Sequence, residues 1–516
     1  MAPQLSSTKT QLRNIWGEKR LVGICLFIAL AQFQYGYDSA AVSGFQSMPG
    51  FLAVFGYADP TNPIGYNLTT QVQTLLQSLI SVGAFVSCLI IFKFGGQISP
   101  RSGLWVASLL GAVSIAIQIG SDHIAALYVG RVLLGLSNGF YSTYSVVYIG
   151  ESAPAYLRGA VIGMVAFQIY FGSLIGILVD NYTHVYAGQK SYQIPLGVMF
   201  AIPIIISIGL LFLPETPRHY VATNQEDRAA EAIRRLRGVR DDSQLGEEVA
   251  IMKTSWLEEV ESHSSVHVLD AFRGTDLRRT LLTISAALAQ AATGMLFMSH
   301  FSVYLFVQAG VGKPFTWVTV SLGIALSGTI LSFPGVRFFD RRHLLIGCSL
   351  VNFAVLLAIS IVYTVALGTS AAGKCMIGLS CIFVWMYGFG QAPVLWALQT
   401  ELASQRLRSQ TVGFAQGCTF AASWVSSYCS PYFINPEALN WGPKYFYVWA
   451  GSNFILAIFV FFWMPETRGR SLEQIDELFD KKVPARRFKR YVTDLQQTDT
   501  DDYMAEKPEV EKVETV

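Results

Sequence analysis

Twelve stretches of this sequence run for about twenty residues with almost no charge, near 21–44, 73–94, 103–120, 124–148, 160–180, 194–213, 280–308, 315–337, 344–366, 374–399, 411–433 and 444–464. A helix of about 20 apolar residues crosses the hydrocarbon of a bilayer. It does so without a partner, because a helix satisfies its own backbone hydrogen bonds, whereas a barrel would show shorter segments of alternating polarity. The pattern predicts an all-α membrane protein with twelve transmembrane helices. With 52% hydrophobic and 14% charged residues among 516, the chain is far too apolar for a soluble multidomain protein.

What charge there is sorts by loop. Lys9, Arg13, Lys19, Arg20, Lys93, Arg101, Arg158, Arg218, Arg337, Arg341, Arg342, Arg406 and Arg408 border one set of span ends, while the alternate loops, such as 45–70, hold almost none. The positive-inside rule then places both termini in the cytoplasm of a multi-pass protein, expected in the plasma membrane. The net charge of +2 gives no sign of nucleic-acid binding. The first apolar run is too long for a signal peptide and is expected to be retained as span one. Seven cysteines lie in or beside spans without metal-ligand spacing, so they read as small packing residues. Two glycosylation sequons, at Asn67 and Asn181, fall in loops assigned to the outside.

The runs divide the chain into a cytoplasmic segment at 1–20, a six-helix half at 21–213, a charged cytoplasmic linker with short helices at 214–279, a second six-helix half at 280–464, and a cytoplasmic tail at 465–516, largely disordered after about 492. The halves repeat. Glu151 and Arg158 recur as Glu401 and Arg408, Pro214-Glu215-Thr216 recurs as Pro465-Glu466-Thr467, and Gly163 corresponds to Gly413. Parallel duplication of this kind is the architecture of alternating-access carriers, whose substrate site lies at the midplane between halves. Gly135 with Gly139, Gly172 with Gly176, and Gly413 with Gly417 are small-residue pairs that predict close helix packing.

Charges within the spans carry the chemistry. Asp38 is the only acid of span one and Arg131 the only base of span four, and pairing them costs less than burying each alone. Protonating the aspartate would free the arginine, which makes a proton switch; a static salt bridge, or an arginine snorkelling to water, is the simpler alternative. At the basic face Arg101, Glu151, Arg158, Glu215, Arg341, Arg342, Glu401, Arg408 and Glu466 supply both signs for a gate, or are merely solvated loop charge. Substrate candidates are the polar and aromatic residues within the spans: Gln168, Gln290, Thr293, His300, Trp396, Ser423 and Ser427, together with Tyr35. Amides suit hydroxyl-rich ligands and an indole face suits a sugar ring, although each residue could equally serve helix packing.

At these residues the chain resembles the sugar porter family of the major facilitator superfamily over about residues 20 to 480. The resemblance is carried by G-Y-D at 36–38, G-R at 130–131, E-x-x-P-x-x-x-R-G from Glu151 to Gly159, P-E-T-P-R at 214–218, Gln290 with Thr293-Gly294, Trp396, and P-E-T-R-G-R-S-L at 465–472. It implies two six-helix halves of the major facilitator fold, with Asp38 and Arg131 as the proton-coupling pair. It also implies that Tyr35, Gln168, Gln290 and Trp396 line the sugar site. The sequence departs from the family at Ala291, Leu296, His300-Phe301, Ser423 and Ser427, which removes several hydrogen-bonding partners of a hexose, and the loop motif at 96–101 is reduced.

The expected activity is proton-coupled uptake of a hexose, disaccharide or related polyol or sugar acid. The partners are a small sugar-like molecule, protons and the bilayer, with no nucleic acid and no cofactor or metal beyond the proton gradient, and the chain is expected to act as a monomer. An exporter or carrier of a less polar metabolite, which Leu296 and Phe301 would suit, is the alternative within the same fold. A non-transporting sugar sensor is the alternative from another class. No phosphate-cradling loop or nucleophile-base spacing points to an enzyme.

Overall fold

The computed structural model describes residues 19–493 except 61–63, 96, 154, 187, 239–244, 247, 255, 258–270, 367–368, 405–406 and 471. The polar head and the tail beyond 493 lie outside the described residues. The first half contains α1 (Lys19–Phe45), α2 (Thr70–Phe94), α3 (Pro100–Ile119), α4 (Ile124–Ser152), α5 (Ala155–Thr183) and α6 (Lys190–Phe212). The second contains α7 (Gly274–Gln308), α8 (Pro314–Phe338), α9 (Arg341–Val365), α10 (Ser370–Met386 continued by Ala392–Glu401), α11 (Arg408–Ile434) and α12 (Phe446–Trp463).

Eleven of these helices are both long enough and apolar enough to cross a membrane. The twelfth expected span is present as a helix but differs in composition. Helix α11 has the length, but its sequence, rich in Ser423, Ser426, Ser427, Ser430, Thr411, Thr419 and Gln416, is too polar to qualify by composition. It crosses because it leans on others: α2 lies along one side and α7 along another, so its hydroxyls need not meet lipid.

The duplication is visible in the packing. In the first half α1 pairs with α5, α2 with α4, and α3 with both α4 and α6; in the second, α7 pairs with α11, α8 with α10, and α9 with both α10 and α12. Small residues permit the tightest of these contacts. A methyl placed on Gly172 would lie 2.2 Å from the carbonyl oxygen of Phe33, and one on Gly135 2.2 Å from that of Ile80. The α11 pair behaves otherwise: Gly413 meets nothing within 4 Å and Gly417 only Phe85 at 3.8 Å, so this spacing is not a packing face here.

Two helices break at midheight. Helix α7 interrupts at Thr293-Gly294, where glycine holds φ +83° against the ring of Trp449. A side chain there would be both strained and obstructed. Helix α10 widens into a π turn at Tyr387–Gln391, a local loosening frequently found at functional sites.

Outside the spans, the long loop after α1 forms the short helix Pro49–Phe55 and a two-residue antiparallel ladder, Tyr57–Ala58 with Tyr66–Asn67. In the linker, Pro217–Ala222 and Glu226–Arg237 are helical, and Leu236 packs with Leu21 and Cys25 of α1. The first part of the expected tail is docked. Helix Leu472–Asp480 sets Ile475, Leu478 and Phe479 among Leu282, Leu398 and Leu402. All seven cysteines are free thiols.

Candidate functional site

Asp38 lies in the last third of α1, and Arg131 two turns into α4. Arg131 Nη1 is 2.6 Å from Asp38 Oδ1, and the two side chains are 1% and 2% exposed. Arg131 Nε donates to the carbonyl of Leu76 at 3.0 Å, so one guanidinium ties α1, α2 and α4 together. Two charges this deep are tolerated only because they meet. Removing either would leave the other uncompensated, at about 3–5 kcal/mol.

The remaining candidates fall into two groups. Gln168 of α5 is buried with Oε1 unpartnered among the described residues. Gln290 donates to Gln399 at 3.1 Å, and Gln399 donates on to Gln416 at 3.3 Å, a chain across α7, α10 and α11. Trp396 is 45% exposed and Tyr35 half-buried. Thr293 is occupied differently: its hydroxyl donates to Gln290 O and accepts from Met295 N, which closes the break in α7.

The second group lies in a seam at the face opposite the basic loops. Ser423 bonds Ser81 at 3.2 Å, and His300 Nδ1 lies 3.1 Å from Ser427 Oγ. The His300 carbonyl accepts from Gln46 at 3.0 Å and from Gln77 at 3.1 Å. Asn435 donates to Gln73 and Leu68, and Ser43 meets Ser302. Apart from His300–Ser427, which lies within the second half, these bonds cross between the halves, and every member is uncharged. Toward the basic face, no hydrogen bond joins the halves among the described residues. The hydroxyls and imidazole expected to hold substrate are thus engaged here in closing one face.

Of the ionic residues expected to gate the basic face, Arg101, Glu151, Glu215, Arg341, Arg342, Glu401 and Glu466 make bonds within their own half. Glu215 accepts from the backbone N–H of Arg101 at 3.1 Å, at the start of α3. Glu466 accepts from Arg341 and Arg342 N–H at 3.2 and 3.0 Å, at the start of α9. Each carboxylate serves the unsatisfied donors at a helix N-terminus, where negative charge is favoured. Around them Thr216 donates to Glu151 at 2.6 Å, Arg101 reaches the Leu210 carbonyl, and Arg341 pairs with Glu401. The side chains of Arg158 and Arg408 lie outside what the structure describes. Asp340, just before α9, bonds Lys489 of the docked tail at 2.6 Å, and chiefly for that reason its carboxyl is held below the ordinary range.

Both sequons are structurally engaged. Asn67 is 2% exposed, with its amide on Asp59, and Asn181 Oδ1 accepts from Thr316 at 3.0 Å. Sequence reasoning overlooked the seam amides Gln46, Gln73, Gln77 and Asn435, as well as the hub at Gln391, which bonds Asn352, Ser349 and Asn453. Their only signal was polarity inside an apolar run, which cannot say whether the partner is a ligand or another helix.

A family model described as "Sugar (and other) transporter" matches residues 24–479. The high glucose sensor RGT2 of Saccharomyces cerevisiae is 30% identical over 89% of this chain, which spans 60% of that sensor's length. Hexose transporter 2 of Kluyveromyces lactis is 26% identical over 89% of this chain and 82% of its own. Among solved structures, the inward-open xylose transporter XylE from E. coli superposes with a TM-score of 0.72 at 19% identity, covering 89% of this chain and all but 1% of that one (99%).

Proposed function

Because the chain belongs to the sugar (and other) transporter family, we propose that it is a proton-coupled carrier taking up a sugar or sugar-like polyol by alternating access across the plasma membrane, basic face to the cytoplasm. The observation that carries the proton claim is the Asp38–Arg131 contact at 2.6 Å with both side chains buried. A proton on Asp38 would cancel its attraction for Arg131, leaving the guanidinium held through Leu76 alone and uncoupling α1 from α4. In this arrangement the seam is closed, and among the described residues the basic side is the side on which no hydrogen bond joins the halves. The state supported is the one that delivers substrate to the cytoplasm.

Gln168 and the Gln290–Gln399–Gln416 chain supply the amides, and Trp396 and Tyr35 the aromatic surface, for the ligand. Phe301 is fully buried, edge-on to His300 and tilted on Phe297, and adds no hydrogen bond. The site therefore favours a ligand with fewer hydroxyls to satisfy than a hexose of the family norm. Uptake of a labelled sugar panel into transporter-null yeast, with and without a protonophore, tests this reading. Accumulation abolished by the protonophore supports it, and accumulation that survives overturns the proton coupling. The sensor relative supplies a second reading, which the same assay would favour if no sugar were taken up while cells still responded to one.

A further inference from the structure

The first half holds a second buried carboxylate, and it is treated very differently from Asp38. Asp180, near the end of α5, is fully buried, and neither Oδ1 nor Oδ2 has a hydrogen-bond partner among the described residues. It sits where three helices from both halves converge. A methyl built on Gly44 of α1 would lie 2.1 Å from Asp180 Oδ2 and 3.2 Å from the ring of Phe315 of α8. Two contacts across the halves close over it: the His184 ring stacks on Phe315 at 4.4 Å, and Thr316 donates to Asn181 at 3.0 Å.

Among the described residues no basic side chain pairs with Asp180 and no group donates to it. Helix α1 offers Gly44 and Tyr37, whose hydroxyl is spent on the Pro195 carbonyl. Helix α5 itself offers Thr183 and His184, the latter turned back to the Asp180 carbonyl oxygen at 3.2 Å. From α6 come Tyr192 and the exposed Lys190, and from α8 Phe315 and the exposed Lys313. A carboxylate isolated from water and from donors is among the costliest groups to bury, whereas the neutral acid costs only the weaker penalty of an unpaired polar group.

We propose that Asp180 is a proton-binding site in the seam, distinct from the Asp38–Arg131 pair, which takes up a proton when the face opposite the basic loops closes and returns it to that side when the halves part. One O–H bond forms on closing and breaks on opening, and no net proton crosses by this route. The site rests on the reading that the halves alternate. It makes external alkalinity oppose closure, because the ionised acid must stay hydrated.

Infrared spectroscopy of the purified full chain in lipid, at neutral pH, tests occupancy directly. The carbonyl-stretch band of a protonated carboxyl is expected in the wild type and absent in Asp180→Asn. Gly44→Ala, which intrudes on the carboxyl, is expected to keep the band at a shifted frequency, which retains a readout should the asparagine variant fold poorly. A spectrum in which Asp180→Asn removes no such band, or in which the band appears only when sodium is replaced by choline, overturns the proposal; the latter outcome means an alkali cation is bound instead. A second arm follows labelling of Thr316→Cys by an impermeant maleimide between about pH 6 and about pH 9. Labelling above the native-cysteine background is expected to rise several-fold with pH and to flatten when Asp180→Asn is added; identical titrations with and without that change overturn it. Neither arm reads transport, so each stands or falls apart from proton-coupled uptake.

Discussion

The two faces of this bundle are held by different chemistry. At one, Gln46, Gln77, Ser81, Ser423 and Asn435 join the halves through neutral hydrogen bonds of 3.0–3.4 Å. At the other, Glu215 and Glu466 cap helices and anchor arginines entirely inside their own half. Neutral bonds contribute about 1 kcal/mol each and can be exchanged for water when the faces part. Carboxylates on helix N-termini and buried cations contribute more and are costly to break. The contrast teaches that the ionic clusters make each half rigid while the seam sets how readily the halves separate. The repeat conserves the first role: Arg101–Glu215 and Arg341–Glu466 are the same backbone contact in both halves.

The comparison can be broken most forcefully at Glu466. Replacing it with alanine removes acceptors from the Arg341 and Arg342 N–H groups, and a loss of about 3 kcal/mol is expected, seen as a lower thermal midpoint of the purified protein. Glu215→Ala should lose somewhat less, and neither change should alter thiol accessibility at the seam. Gln46→Ala with Gln77→Ala frees the His300 carbonyl from both donors. That should shift the closed population by about 1–2 kcal/mol, a several-fold gain in labelling of a seam cysteine with little change in thermal midpoint. If the seam variant instead lowers the midpoint as Glu466→Ala does, the division of labour fails. The smallest effect concerns Asp340. Its folded-state acidity is strengthened mainly by Lys489, so the stability it adds is present above the ordinary aspartate range and is lost as pH falls through the lowered value. Lys489→Ala should therefore flatten the acid limb of the midpoint-against-pH curve slightly, because Lys489 is 61% exposed.

Much of this was legible beforehand. Eleven spans announce themselves by apolarity, and the pairing of Asp38 with Arg131 follows from their being the only acid of span one and the only base of span four. The repeat of Glu215 and Glu466 was visible as a triplet, but its meaning was not: only the geometry shows those carboxylates turned to helix N-termini within a half instead of across the gap. Helix α11 is legible as a span only by tolerating its serines, of which Ser423 meets Ser81 of the other half and Ser427 meets His300. In the first part of the tail, charge hides a docking face. In the helix Leu472–Asp480 the acids Glu473, Asp476 and Glu477 alternate with Ile475, Leu478 and Phe479, and the last three are buried. Asp180 carries no such signal in the sequence, because one acid at a span end looks interfacial until burial is known.

Asp38 is proposed to carry the coupling proton. The most direct measurement is sugar accumulation in proteoliposomes under an imposed inward proton gradient, with equilibrium exchange run alongside, for the wild type and Asp38→Asn. The wild type should accumulate sugar above the external concentration, while the variant should still exchange sugar but never accumulate it. A variant that concentrates sugar as the wild type does would contradict the claim outright.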